Sequence, residues 1–249
     1  MATEKLVSEG KCLFCDKTYK QRGIVKHLKT HLNKMENAEA EPKGRSYLLY
    51  VKAAEMFLLL WVDGKTQFEE LDDFLRAIWM ECCGHMSNFR DPNGYYEHEA
   101  EEEHDDAFGF FVERFPEEVP MNYPVEAVLG KRKKLHYSYD FGSTTEVVVE
   151  TKAAYDIPAS DSTVLLSRNE PLELLCHTCQ AAPATTLCSV DMWQDDFMFC
   201  PKCAEKHAKV CEDFAEYAAL PVVNSPRMGV CDYEGGQIDT ERDGVYQMN

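Results

Sequence analysis

Residues 47–84 read YLLYVKAAEMFLLLWVDGKTQFEELDDFLRAIWMECCG, and their patterning decides the fold class. Tyr47 to Ala53 and Glu55 to Val62 are rich in Leu, Val and aromatic side chains, which predicts two adjacent strands closed by the Asp63-Gly64 turn. The apolar spacing then changes: Phe68, Leu71, Leu75, Ile78, Trp79 and Cys82 recur at intervals of three and four up to Gly84, the pattern of an amphipathic helix and its terminator. Thr66 with Glu69 supplies a capping box at its start. Strands followed by a helix of this kind predict an α+β domain. Trp79 and Cys82 lie on the apolar stripe and are assigned to the core. Cys83 and His85 could bind a metal, but no partner pair lies near them in sequence.

Toward the C-terminus, Tyr96 to Asp106 carries seven acids and two histidines and reads as a solvated loop, with weak metal binding a minor alternative. Phe108 to Phe111 returns the chain to the core. Lys134 to Asp140 places Leu135, Tyr137 and Tyr139 on one face, Phe141-Gly142-Ser143 turns, and Thr144 to Thr151 comes back as a second strand.

Farther on, residues 176–211 read CHTCQAAPATTLCSVDMWQDDFMFCPKCAEKHAKVC. Cys176/Cys179 and Cys200/Cys203 form two CxxC knuckles separated by twenty residues, the spacing of a four-thiolate zinc site, because each turn aims two thiolates at one point. Cys188, Asp191, His207 and Cys211 are four more potential ligands. Taken as four successive pairs, the stretch resembles the B-box type of cross-braced zinc module. That resemblance implies one ion held by the first and third pairs and another by the second and fourth. Asp191 departs from the cysteine-only version and hardens the second site. Other readings stay open: Cys188 and Cys211 as small buried hydrophobes, His207 on a solvated helix face, or His177, Asp195 or Asp196 in place of one ligand.

Toward the N-terminus, residues 11–33 read KCLFCDKTYKQRGIVKHLKTHLN. Cys12 and Cys15 form a knuckle, and His27 and His31 lie one helical turn apart, able to face one ion. The segment is similar to a two-Cys two-His zinc finger, with Tyr19, Ile24 and Leu28 as its small core. Eleven residues separate Cys15 from His27, one fewer than usual, which blurs where the helix begins. A unit this small depends on its metal for folding.

The whole chain has 249 residues and a formal charge of −18. That balance argues against broad affinity for nucleic acid or anionic membranes. The charge is segregated: Lys11 to Lys34 holds seven basic residues against one acid, a net +6, so the rest carries −24. No apolar leader opens the sequence, and the longest apolar run, Met56 to Val62, is too short to span a bilayer. Eleven cysteines without a secretion signal favour metal ligation over disulfides in a reducing compartment, so cytoplasmic residence is expected.

Four segments, DFLRAIWMECCGHMSNF, YSYDFGSTTEVVVE, LLSRNEPLE and LPVVNSPRMGVC, spread over about residues 46–235, resemble the insertion-element passenger family, also called plasmid open-reading-frame-three-like and often labelled resolvase-like. The resemblance implies a small α+β core of this strand, helix and hairpin order and leaves the biochemical role open. Recombination is not inherited from the label. A serine recombinase needs a nucleophile backed by an arginine cluster, and the arginines here are scattered singly. Walker, GxSxG, HExxH and GxGxxG motifs are also missing. Cys231 is an odd cysteine that packs against the zinc module in this reading and is assigned no role.

The expected organisation is a finger at 1–34, a polar flexible linker at 35–45, an α+β core at 46–165, the B-box-like module and tail at 166–235, and a flexible terminus at 236–249. The expected cofactor is zinc, three ions in all. The expected function is that of a non-enzymatic interaction or adaptor protein with a protein partner and a link to mobile elements. The alternative is a nucleic-acid-associated factor that touches phosphates through residues 11–34. No membrane partner is expected, and saturated four-ligand sites argue against a recombinase or hydrolase.

Overall fold

A computed structural model of the chain describes residues 8–39, 43–96, 115–130, 134–194 and 196–243. The acidic segment from 97, the Phe108–Phe111 return and Asp195 lie outside them. The described part is α+β. It begins with β1 (Glu9–Lys11) and β2 (Thr18–Lys20), an antiparallel pair, followed by α1 (Gln21–Ala38). The helix therefore runs through the first residues assigned to a flexible linker. Its far end is tied down by Glu36 Oε1, which accepts the Asp156 N–H at 2.6 Å.

The expected hairpin is β3 (Ser46–Ala53) with β4 (Met56–Asp63), in a register that pairs Tyr47 with Val62 and Val51 with Leu58. Ala54 makes the turn with φ at +48°. Next come α2 (Phe68–Leu75), β5 (Ser87–Tyr96), β6 (Phe115–Val119), α3 (Val125–Leu129), β7 (Lys134–Tyr139), β8 (Thr145–Tyr155) and β9 (Thr163–Arg168). These strands form one seven-stranded sheet in the order β6-β5-β7-β8-β3-β4-β9, with antiparallel neighbours throughout. The core thus extends past 165 to Arg168.

Period-two alternation explains why 47–62 reads as an unbroken apolar run: both sheet faces are covered. Tyr47, Leu49, Val51, Leu58, Leu60 and Val62 face one core with Phe68, Leu71, Leu75, Ile78 and Trp79 from the α2 side. Leu48, Tyr50, Phe57, Leu59 and Trp61 face the other, and there they meet Ile24, Leu28 and Leu32 of α1. The finger is therefore the second layer of the main domain, not a separate unit on a tether. Burial of three such side chains is worth about 2 kcal/mol each.

The capping box forms one residue later than expected. Gln67 caps α2 and Glu70 returns the bond, its carboxylate accepting the Gln67 N–H at 2.8 Å. Thr66 instead donates its hydroxyl to Ser162 O at 2.7 Å. The helix also stops short of Gly84, because after Leu75 it widens into a π turn, Arg76–Met80. Such a turn releases carbonyls from the α pattern, and the C-terminal tail takes them up. Gln237 N–H donates to Ala77 O at 2.6 Å, and Ser225 Oγ donates to Trp79 O at 2.6 Å. A side chain at Gly236 would collide with Ile78 O.

Those contacts correct the expectation of a flexible terminus from 236, since the tail is packed through Asp243. Arg168 is fully buried and donates to Asn224 O at 2.6 Å and to the carboxylate of Asp243, itself 1% exposed. Between sheet and tail lies a second small sheet, β10 (Thr186–Cys188), β11 (Met198–Phe199) and β12 (Ala219–Pro221), ordered β11-β10-β12, with α4 (Pro201–His207) after β11.

Candidate metal centres

Among the described residues, four groups of Cys, His and Asp place their donor atoms within 4.8 Å of one another, and each could hold a metal ion. Three are the sets that spacing grouped in the sequence.

The first joins the β1–β2 turn to α1. Asp16 N–H donates to Cys12 O at 2.8 Å and Leu13 N–H to Leu166 O at 3.0 Å, which fixes the knuckle against β9. Cys15 Sγ lies 3.2 Å from His27 Nε2, and that nitrogen lies 3.1 Å from His31 Nε2. Burial, then the nearby His31, Lys17 and Lys34, lower the His27 pKa, so its imidazole stays neutral and free to coordinate. Tyr19 stacks on His27 at 4.3 Å between centroids.

In the second, Cys176 and Cys179 meet Cys200 and Cys203. Gln180 N–H closes the first knuckle on Cys176 O at 2.9 Å, and Cys203 N–H closes the second on Cys200 O at 3.0 Å. Cys200 is the N-cap of α4, with Pro201 as its first helical residue. Burial pushes the Cys176 thiol up, but backbone N–H donors at Cys179 and Cys200 outweigh it and bring the group down to about 6. Burial and the neighbouring thiols push the coupled Cys203 up to about 12, so the cluster does not ionise as a whole in the absence of a cation.

The third group brings Cys188, from the end of β10, to Asp191, His207 and Cys211. Asp191 Oδ2 is 3.1 Å from His207 Nε2. The imidazole is held between Phe199, stacked at 4.3 Å, and Phe214 at 4.8 Å. His207 Nε2 is buried and makes no hydrogen bond. An orphaned ring nitrogen facing two thiols and a carboxylate fits a cation. A tetrahedral zinc with bonds of about 2.3 Å to sulfur would set sulfur–sulfur edges of about 3.8 Å, and Cys179 and Cys200 stand at 3.9 Å.

The grouping pairs first with third and second with fourth, as cross-bracing requires. His177 is in none of the groups, since its Nδ1 accepts the Phe197 N–H at 3.3 Å.

The fourth group, Cys82, Cys83, His85 and Cys231, joins residues that sequence reasoning left apart. Cys82 is half-buried and packs against the main core, as its place on the apolar stripe implies, and Cys231 turns toward the sheet domain and not toward the C-terminal module. The local signal was the Cys82-x-x-His85 spacing; its partner lies 146 residues beyond His85.

No family model matches the chain, and no curated protein matches it. Among solved structures it is similar to MM3350, a protein of unknown function from Methanosarcina mazei Go1, at 15% identity and a TM-score of 0.32, covering 47% of this chain. The chain spans 64% of the length of that protein, and a likeness at this level carries no argument about function.

Proposed function

We propose that the chain is a non-enzymatic zinc protein of the cytoplasm that acts as an interaction module. Three zinc ions belong to this reading, one in the finger and two in the C-terminal module, where the metal stands in for a core too small to hold the segment alone. Four protein donors saturate each ion and leave no position for an activated water. The observation that carries the reading is Trp193, which is 96% exposed, two residues from the ligand Asp191. Val190 and Val210, each next to a ligand of the same centre, are exposed as well. Large apolar side chains held outward on a metal-braced loop suit a protein partner, because aromatic anchors dominate such interfaces. The resemblance to the insertion-element passenger family belongs to this proposal and would place the partner in the context of mobile elements.

The test is capture at low salt by the full chain and by Trp193→Ala with equal zinc content. A protein retained by the first and lost from the second supports the reading. One specific observation favours nucleic acid as the second reading: α1 buries Ile24, Leu28 and Leu32 while Arg22, Lys26 and Lys34 stay exposed. DNA or RNA that survives Trp193→Ala would establish that alternative.

A further inference from the structure

Arg227 explains why the tail returns to the end of the α2 segment. Its side chain is fully buried and donates to Asp140 Oδ2 at 2.5 Å, Ser143 O at 2.6 Å, Thr145 Oγ1 at 3.2 Å and Cys82 Sγ at 3.6 Å. The chain then turns through Cys231 and Asp232, both in the left-handed region with φ at +52° and +55°, a conformation that non-glycine residues adopt at some cost. At the end of this turn Cys231 Sγ lies 3.4 Å from Cys83 Sγ and 3.3 Å from His85 Nε2. Cys83 Sγ is 2.9 Å from His85 Nε2 and 3.7 Å from Cys82 Sγ.

We propose that Cys82, Cys83, His85 and Cys231 form a fourth zinc site, which fastens the C-terminal tail to the sheet domain. Three thiolates and one imidazole match the preference of zinc for sulfur and nitrogen. Around a tetrahedral ion the edges would be about 3.8 Å between sulfurs and about 3.5 Å between sulfur and nitrogen; the four separations above lie within about 0.6 Å of these edges, and every donor pair lies within 4.8 Å. Three thiolates leave the bound ion with one net negative charge, and the Arg227 guanidinium, shared with Asp140, lies beside Cys82. Tyr139 OH, 3.9 Å from Cys82 Sγ, stands beside the group, as outer-shell donors do in metal sites. Cys83 and Cys231 are exposed, unlike the buried Cys12, Cys176 and Cys188 of the other centres. This ion is therefore the first to leave for a chelator.

The test uses the full chain purified under reductant, with native mass spectrometry and iodoacetamide labelling read by peptide mapping. Wild type should carry one zinc more than Cys231→Ser, a difference independent of how many ions the finger and module hold. In wild type, Cys83 and Cys231 should resist iodoacetamide until EDTA is added, and Cys176 and Cys203 should resist longer. Equal zinc counts in the two proteins overturn the proposal. So does immediate labelling of Cys83 and Cys231 in wild type, a result that needs no variant to fold. Protection that EDTA does not lift also overturns it, by showing that something other than a metal covers the two thiols.

Discussion

The backbone N–H of Leu13, inside the first metal knuckle, donates to the carbonyl of Leu166 on β9 at 3.0 Å. Glu170 N–H donates to Glu9 O at 2.8 Å on the same seam, and Gly10 bridges Asn169. Knuckle, finger helix and sheet are thus mechanically continuous, and stability of one is stability of all. Leu28→Ala, which opens a cavity between α1 and the sheet, should cost about 2–5 kcal/mol. It should lower one shared thermal transition. Hydrogen exchange that quickens in α1 but leaves β4 unchanged would show two independent units.

Removing the finger is consequently a poor way to ask whether it binds nucleic acid. Without residues 1–45 the sheet would expose Leu48, Tyr50, Phe57, Leu59 and Trp61, all now buried, and such a patch associates non-specifically. Charge reversal is the cleaner probe. Arg22→Glu with Lys26→Glu should leave folding intact, because both side chains are exposed. If the finger touches phosphates, binding should fall and its salt slope should flatten by about one per lost contact. Binding with an unchanged slope would remove the finger from the interface.

Asp243 should matter more than its place near the end of the chain suggests. Its carboxylate neutralises Arg168 in a site closed to solvent, at 1% and 0% side-chain exposure. Asp243→Ala leaves the buried guanidinium only the Asp239 carboxylate, 3.6 Å away, as counter-charge, a loss of up to about 3–5 kcal/mol. Adding Arg168→Met should recover most of it, since the stranded charge is then gone. Urea melts of the two variants decide the matter, and a double variant no more stable than Asp243→Ala would refute the account.

How much of this was legible in the sequence depended on range. Ligand spacing grouped Cys12 with His31 and Cys176 with Cys203 because zinc geometry imposes local rules that survive without knowledge of the fold. The apolar run through Leu58 and Trp61 announced strands. Nothing in it said that two different layers cover the two faces, since a residue's face follows from partners far away. The capping box slipped by one residue because Thr66 found Ser162 across the fold. Cys231 and the packed tail were missed for the same reason: Arg227 and Asp243 are held by Asp140 and Arg168, and no periodicity links such distant pairs. β5 carries Asp91-Pro92-Asn93-Gly94 and β6 carries Pro116, turn-type residues that left no strand pattern to read.

The order in which the C-terminal module loses its metals follows from ligand type and shared elements. Cys200 and Cys203 sit at the start of α4 and His207 at its end, so the helix that presents the imidazole is anchored by the all-thiolate centre. That centre is soft, with Cys176, Cys200 and Cys203 buried and Cys179 exposed, while Asp191 and His207 offer an oxygen and a nitrogen at 18% and 16% side-chain exposure. Since protons compete for thiolates and imidazole, acidification should empty both centres, the one with the harder ligands first. Cys203→Ser removes the anchor and should release both ions and unfold residues 176–211. Asp191→Ala should leave the Cys176, Cys179, Cys200, Cys203 ion in place and cost only the other. The sheet, with its own two cores, should keep its melting transition in both variants. Zinc counts by native mass spectrometry, with limited proteolysis of the module, separate these outcomes. Loss of both ions from Asp191→Ala would reverse the order and make the mixed-ligand centre the one on which the module folds.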